Sequence, residues 1–290
     1  MTPHAALIVE RMARDAGLSL IWGAGGFALI AGEELQKPLV AVLRRPIQIA
    51  VTLATTSALA TIPFETAEFG LGWQAALQPE LLWSVASQTH AGISATAQAV
   101  ICIAMVGAFA TGREKLGVGL AGLALAEVPT TGHLAEGLDL AGIAHIGIAA
   151  VHILSAAAWV GALLPFIALV HLSRSPQLRT AAISAMRLFS RGGHVAVGLV
   201  LLTGIVNIWV IVGHLQFEWH VTYQRYLLLK VAVVGAMCAI AVVDRYVIVP
   251  RCPTDPRFAR RALMAGAACE IALGLCAFAL VATFGLEDPS

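Results

Sequence analysis

The chain has 290 residues, of which 59% are hydrophobic and only 12% are charged, and its formal net charge is +1. A soluble globular protein has about 25% charged residues, so this composition indicates an integral membrane protein. The nearly neutral charge offers no basic surface for nucleic acid. The sequence also lacks the alternating segments of about 10 residues that form a membrane β-barrel. We therefore predict an all-α, polytopic protein embedded in the lipid bilayer.

Long apolar runs follow one another along the chain, separated by short charged clusters. Runs of about 20 apolar residues are long enough to cross the hydrocarbon core as helices. We predict a bundle of about eight transmembrane helices, at residues 5–32, 46–68, 80–111, 116–134, 140–171, 181–213, 224–249 and 258–285. The connections leave no room for a separate soluble domain, so residues 1–290 are predicted to form a single transmembrane domain.

The distribution of Lys and Arg predicts the orientation of these helices. Basic residues are concentrated in the loops on the cytoplasmic side of a membrane. Fourteen of the 18 basic residues lie in or beside the connections that follow the first, third, fifth and seventh predicted helices. These connections are therefore predicted to be cytoplasmic, and both termini periplasmic, in a bacterial inner membrane.

Histidines are distributed unevenly across the predicted membrane. Most lie in the outer half or at the outer surface, and only His171 and His194 lie towards the cytoplasm. Imidazole and carboxylate groups are ligands that divalent copper and zinc prefer, so we predict a metal site open to the periplasm. The predicted ligands are His90, His133, His145 and His152, with Glu65 as a second-line candidate. The alternative is that each histidine only hydrogen-bonds a neighbouring helix.

Two of these histidines lie in the fifth predicted helix, in the stretch AHIGIAAVHILSAAAW. His145 and His152 are seven residues apart, so they share one helix face and lie about 10 Å apart along the axis. Trp159 continues the same face. Because a metal–imidazole bond is about 2.0–2.1 Å long, the two histidines cannot readily bind one ion. We predict two separate metal-binding positions, called stations below, each completed by residues from other helices.

Glu270 lies in the middle of the last predicted helix. Ionisable residues at that depth are costly and usually functional, so Glu270 is predicted to serve transport or its coupling. Asp244 and Lys230 lie nearer to helix ends, where they are expected to snorkel or to form pairs. The sequence contains no GxxxxGK[ST] loop for nucleotide phosphates, so we expect no ATP-driven pump and no enzymatic activity.

The chain carries several distinctive segments of small, aromatic and polar residues, mostly from about residue 130 onward. They are TGHLAEG, VHILSAAAWVGALLP, LFSRGGHVAVGLVLLTGIVNIWVIVG, YQRYLLLKVAVV, VVDRYVIVPR and AACEIALGL. These segments resemble the CopD family of bacterial copper-resistance inner-membrane proteins. The positions that match the family's pattern are His133, His152, Trp159, Asn207, Lys230 and Glu270.

The resemblance implies that the bound ion is copper and that a periplasmic CopC-type copper-binding protein is a partner. It also implies that Trp159, Asn207 and Lys230 serve transport beside Glu270. The sequence departs from the family at Ala149, where members often have an acidic residue, and His145 is expected to replace that ligand one turn further out. A second departure is the segment THAGISATAQAV, where members commonly have a glycine and an arginine and this chain has His90.

Two other functions are compatible with the same residues. A b-type haem protein that carries electrons needs two histidines at similar depth on different helices, and His90 and His152 roughly meet that condition. A membrane anchor or sensor for a periplasmic copper chaperone is also possible, although such a protein has no need of a carboxylate in mid-membrane such as Glu270. A visible absorption spectrum separates haem from metal-ion handling.

Overall fold

The computed structural model describes residues 1–131, 140–212 and 221–286, and within these ranges the chain is helical without any strand. The helices are α1 Pro3–Leu20, α2 Gly26–Ile30, α3 Glu33–Phe69, α4 Pro79–Gln88, α5 His90–Ala110, α6 Glu114–Glu127, α7 Leu140–Leu172, α8 Arg179–Val212, α9 Thr222–Val243 and α10 Pro256–Phe284. The all-α class of the sequence prediction is confirmed.

Six helices in the described ranges are long and apolar enough to cross a membrane: α3, α5, α7, α8, α9 with its extension to Arg251, and α10. This confirms a polytopic helical membrane protein, whereas the predicted number of about eight spans is not confirmed. α6 has only 14 residues. α1 and α2 form one continuous helical rod, because the π-helical turn Ile21–Gly25 between them keeps right-handed helical backbone angles at both junctions.

α3 begins well before the apolar run that was predicted to contain it. The predicted connection at residues 33–45 is instead the first three turns of this 37-residue helix. Leu35, Leu39 and Leu43 recur every four residues and are fully buried in a cluster with residues of α2, α7 and α8. The segment is thus an amphipathic helix. The charged residues on its other face lower the mean hydropathy, so that an average over the segment hides the apolar face.

The third predicted span is divided into α4 and α5 at Thr89. Thr89 has an extended backbone, its hydroxyl donates to the Val85 carbonyl over 2.8 Å, and it caps α5 by accepting from the Gly92 amide over 2.9 Å. A Cβ at Gly92 would collide with the Val85 carbonyl oxygen, so a glycine is required where α5 begins against the end of α4. This break places His90 at the first position of α5.

Two contiguous apolar clusters hold the bundle together. One combines Leu18 and Ile21 with residues of α3, α5, α6 and α7, and the other joins α2, the start of α3, α7 and α8. α1 and α7 cross with backbone against backbone, since a Cβ at Gly23 would lie 2.5 Å from the Ala157 carbonyl oxygen. On the other side of this crossing, a Cβ at Gly161 would collide with the Ser19 carbonyl oxygen. The N-terminal helices are therefore packed directly on α7.

The C-terminal helices are less enclosed. In the most apolar 18-residue segment of each helix, only 11% of α8 and 6% of α9 is buried inside the protein. This is expected for helices with lipid on most sides. α8 packs mainly on α7, and α9 mainly on α10. Between the π-helical turn Ile21–Gly25, α2, α7 and α8 lies an apolar cavity of about 240 Å³, whose lining includes Trp22 and Trp159.

Candidate functional site

His145 is the most deeply buried of the predicted ligands in the described part of the chain. It lies in the second turn of α7, and only 5% of its surface is exposed. Its Nε2 atom is buried and has no hydrogen-bond partner among the residues that the structure describes. Burying a polar atom without a partner costs free energy, so this nitrogen is available to a ligand that the structure does not contain.

The other predicted outer ligands are not gathered around His145. His90 is exposed at the start of α5, and His133 lies outside the described residues. Glu65 on α3 has a cationic neighbour, because its Oε1 lies 3.8 Å from Nη2 of Arg11. Within residues 1–131, 140–212 and 221–286, no group of three or more His, Cys, Asp or Glu side chains is arranged to hold a metal ion.

His152, two turns further along α7, contacts α8. Its Nδ1 lies 3.0 Å from Oγ1 of Thr203, and this hydroxyl itself lies 2.5 Å from the Leu199 carbonyl oxygen. Because the hydroxyl donates to that carbonyl, it accepts a hydrogen bond from Nδ1–H of His152. This assignment leaves Nε2 as the unprotonated nitrogen, which is the form that can bind a metal ion. Gly204 packs against the ring. A Cβ added at Gly204 would lie 3.3 Å from Cε1 of His152, which is a tight contact.

Lys230 on α9 lies close enough to His152 for its charge to act on the imidazole ring. Its ammonium nitrogen is 5.8 Å from the centre of the Phe284 ring on α10. A cation beside His152 repels a second cation, so a metal ion bound at this histidine is held less tightly than one bound further from the ammonium group.

Trp159 and Glu270 meet in the interior, as a hydrogen bond between α7 and α10. Nε1 of Trp159 donates to Oε2 of Glu270 over 3.1 Å, and the two residues are only 5% and 4% exposed. The Asp244 carboxylate lies against α10 at Gly266, one turn before Glu270. A Cβ at Gly266 would collide with this carboxylate. Its charge acts on Glu270. Asp244 is therefore a charged neighbour of Glu270, which the sequence analysis did not identify.

Asn207, the last of the predicted transport residues, lies on α8 beyond Thr203. Its Oδ1 is buried and makes no hydrogen bond to any residue in the described ranges.

A second polar cluster, between α1 and α3, was not predicted. Glu10 and Arg14 pair over 3.2 Å, and Oε1 of Glu10 also accepts from the Thr61 hydroxyl over 3.0 Å. Glu10 and Arg14 are 3% and 7% exposed. The spacing of four residues between an acid and a base in an apolar helix was the available signal, but the sequence analysis singled out neither residue.

Comparison with known proteins identifies the family. A family model described as "Copper resistance protein D-like, N-terminal domain" matches residues 1–143, and one described as "Copper resistance protein D" matches residues 183–284. No solved structure matches the chain. Whether the two matched regions form one domain, as predicted, is not tested.

Three relatives cover much of the chain. The inner membrane protein YebZ of Escherichia coli is 29% identical over 86% of both chains. Copper resistance protein D of Pseudomonas syringae pv. tomato is 30% identical over 70% of both chains. The copper transport protein CutJ of Bacillus subtilis is 27% identical over 76% of this chain and 42% of its own length. The resemblance inferred from the sequence is confirmed: the chain belongs to the copper resistance protein D family.

Proposed function

We propose that the protein handles copper as its cargo. It accepts copper ions from the periplasmic side of a bacterial inner membrane and admits them to the helix bundle through a path of histidines and carboxylates. The proposal is supported by relatives that are named for copper resistance and copper transport, and by one named as an inner membrane protein. The role is binding and transfer of an ion, without catalysis.

The buried Nε2 of His145 carries this proposal. An unpaired polar atom in an apolar interior costs about 1–3 kcal/mol, and a bound copper ion would remove that cost. A metal ion requires the nitrogen in its unprotonated form. We assign His145 as the first station, with His133 as the histidine that completes it.

His152 is the second station in this proposal. Thr203 orients its ring through Nδ1 and leaves Nε2 for the ion, in the way that outer hydrogen bonds orient metal-binding histidines. The positive charge of Lys230 weakens the binding of a cation at His152. Weak binding lets an ion pass on, so this station is suited to passage and not to retention of the ion. Tight binding is therefore assigned to His145 and passage to His152.

The Trp159–Glu270 pair is proposed to act after the histidine stations. A carboxylate in mid-membrane can stabilise a passing cation or exchange a proton, and Trp159 holds it in one orientation. Asn207 and Lys230 are proposed to line the same path. A periplasmic copper-binding protein of the CopC type is the proposed partner that delivers the ion, with both termini of this chain on the periplasmic side.

Glu65 is not included in this set of ligands. Its prediction as a second-line ligand stays untested, but Arg11 lies 3.8 Å from its carboxylate. An arginine keeps its proton in proteins, so it opposes a divalent cation at that carboxylate.

The test uses three single variants of the purified full chain in lipid nanodiscs: His145→Ala, His152→Ala and His194→Ala. His194 is the matched control, because it is an exposed histidine of α8 whose Nδ1 contacts the Ser190 carbonyl of its own helix. We expect His145→Ala to lower copper affinity at equilibrium by at least tenfold, or about 1.4 kcal/mol. His152→Ala should chiefly slow copper uptake into vesicles, and His194→Ala should change neither.

Thermal stability and the visible spectrum are measured on the same samples. If His145→Ala and His152→Ala bind and move copper like the wild type and lose only stability, the histidines only connect helices and the proposal is wrong. A haem absorption band in the purified protein would support the electron-carrier alternative instead.

A further inference from the structure

Three glutamates line the contact between α1 and α3. Glu68 and Glu65 are three residues apart on α3. Glu10 of α1 accepts a hydrogen bond from Thr61, which lies one turn before Glu65 on α3. The exposed fraction of the side chain falls from 41% at Glu68 to 8% at Glu65 and 1% at Glu10. This row of carboxylates leads from the end of the bundle where α1 begins into its interior.

Glu65 is the least well paired member of the row. The residue is 6% exposed, and its Oε2 is buried without a hydrogen-bond partner. Its Oε1 faces Nη2 of Arg11 at 3.8 Å, which is beyond hydrogen-bonding distance. A buried carboxylate without hydrogen bonds is unfavourable in its charged form, and binding a proton removes the charge.

Arg11 is placed so that its ion pair with Glu65 can open. Its side chain is 23% exposed, and its Nη1 lies 3.4 Å from the Gly285 carbonyl oxygen at the end of α10. When the pair opens, the guanidinium group can reach water while the Glu65 carboxylate stays buried. Because arginine does not lose its proton, opening of the pair is balanced by a proton that binds to Glu65.

The charges around Glu65 also favour one additional proton. The ionisable groups of this contact are Glu10, Arg11, Arg14, Asp15 and Glu65, and their formal charges sum to −1. From the helices that pack on this cluster, α5 presents Cys102 and α6 presents Glu127, while the His4–Glu68 pair lies on the outer side. One proton makes the cluster of five neutral. A divalent metal ion would instead lie beside two arginines that cannot release their charge.

We propose that the row Glu68, Glu65 and Glu10 is a proton-binding path from the outer surface, with Glu65 as the group that takes up and releases the proton. The proton comes from water, by way of the exposed His4–Glu68 pair, whose atoms lie 3.3 Å apart. It neutralises the Glu65 carboxylate and frees Arg11, and on release the ion pair forms again. This inference goes beyond the proposed copper function, because proton exchange at Glu65 requires no copper.

Infrared difference spectroscopy of the copper-free full chain in lipid nanodiscs tests the path. Spectra are recorded between about pH 4 and pH 8, and the C=O stretching band of a protonated carboxyl group is followed. We expect the pH-dependent band of the wild type to contain a component that is missing from Glu65→Gln. Glu80→Gln is the matched control, because Glu80 is an exposed glutamate in the first turn of α4. Its spectrum should keep the band.

Arg11→Gln provides a second, independent measurement that keeps Glu65 in place. Without the guanidinium group nearby, the carboxyl band at a given pH should be larger than in the wild type. A residue with only a structural role would lower thermal stability and leave the band unchanged. A band that is unchanged in folded Glu65→Gln overturns the proposal. A carboxyl band that Arg11→Gln leaves unchanged also overturns the proposal. This second variant tests the proposal even if Glu65→Gln does not fold.

Discussion

Replacing Trp159 by Phe removes one N–H donor from the interior and retains an aromatic ring. Nε1 of Trp159 donates to the Glu270 carboxylate over 3.1 Å, and at 5% and 4% exposure neither residue can replace the bond with water. At a pH where Glu270 is ionised, a hydrogen bond to its charged carboxylate contributes about 1.5–3 kcal/mol. We expect Trp159→Phe to lower the free energy of unfolding by about 2 kcal/mol from this bond alone.

Trp22→Phe is the matched control for the loss of ring volume. Trp22 also donates over 3.1 Å, but to the uncharged carbonyl of Leu154. Loss of a neutral hydrogen bond costs about 0.5–1.5 kcal/mol, so Trp159→Phe should be the more destabilising variant by about 1 kcal/mol. Unfolding in mixed detergent micelles measures both, and the double variant with Glu270→Gln gives the coupling energy between the two side chains. Equal costs for the two tryptophans, or strict additivity with Glu270→Gln, would refute this reasoning.

The glycine contacts and the orientation give three more expectations. Gly161→Ala places a methyl group against the Ser19 carbonyl and should cost about 1–3 kcal/mol of stability in the same unfolding assay, whereas Gly198→Ala, which meets open space, should be nearly neutral. Gly266→Ala should displace the Asp244 carboxylate and slow copper uptake into vesicles without removing any ionisable group; unchanged uptake would exclude Asp244 from the path. Reporter fusions at Arg113 and after the last residue should be cytoplasmic and periplasmic, respectively, and the same location for both would contradict the orientation.

The helical membrane class and the family were predictable because they depend on composition and local motifs. The extent of α3 was not predicted, although the four-residue spacing of Leu35, Leu39 and Leu43 was present in the sequence. Averaged hydropathy hides an amphipathic helix when its other face is charged. Periodicity was therefore the better guide at residues 33–45.

The candidate site was predicted residue by residue, but its pairings were not. Trp159 and Glu270 were both chosen from the sequence, yet the hydrogen bond between them joins positions 111 residues apart. No local pattern encodes such a contact, because it depends on how α7 and α10 pack. The same applies to Arg11 and Glu65, whose ion pair changes the chemistry that a glutamate at this position can perform.

The crossing of α1 and α7 determines how the two halves of the chain can move. The family models match residues 1–143 and 183–284, and most of α7 lies between these two regions. At the crossing, the backbones of Gly23 and Gly161 touch, and the Trp22 side chain bonds to the α7 backbone next to it. Two rods in backbone contact at one point can pivot about that point but cannot separate without losing the contact. Any relative movement of the two halves that keeps this contact is therefore a rocking motion about these two glycines.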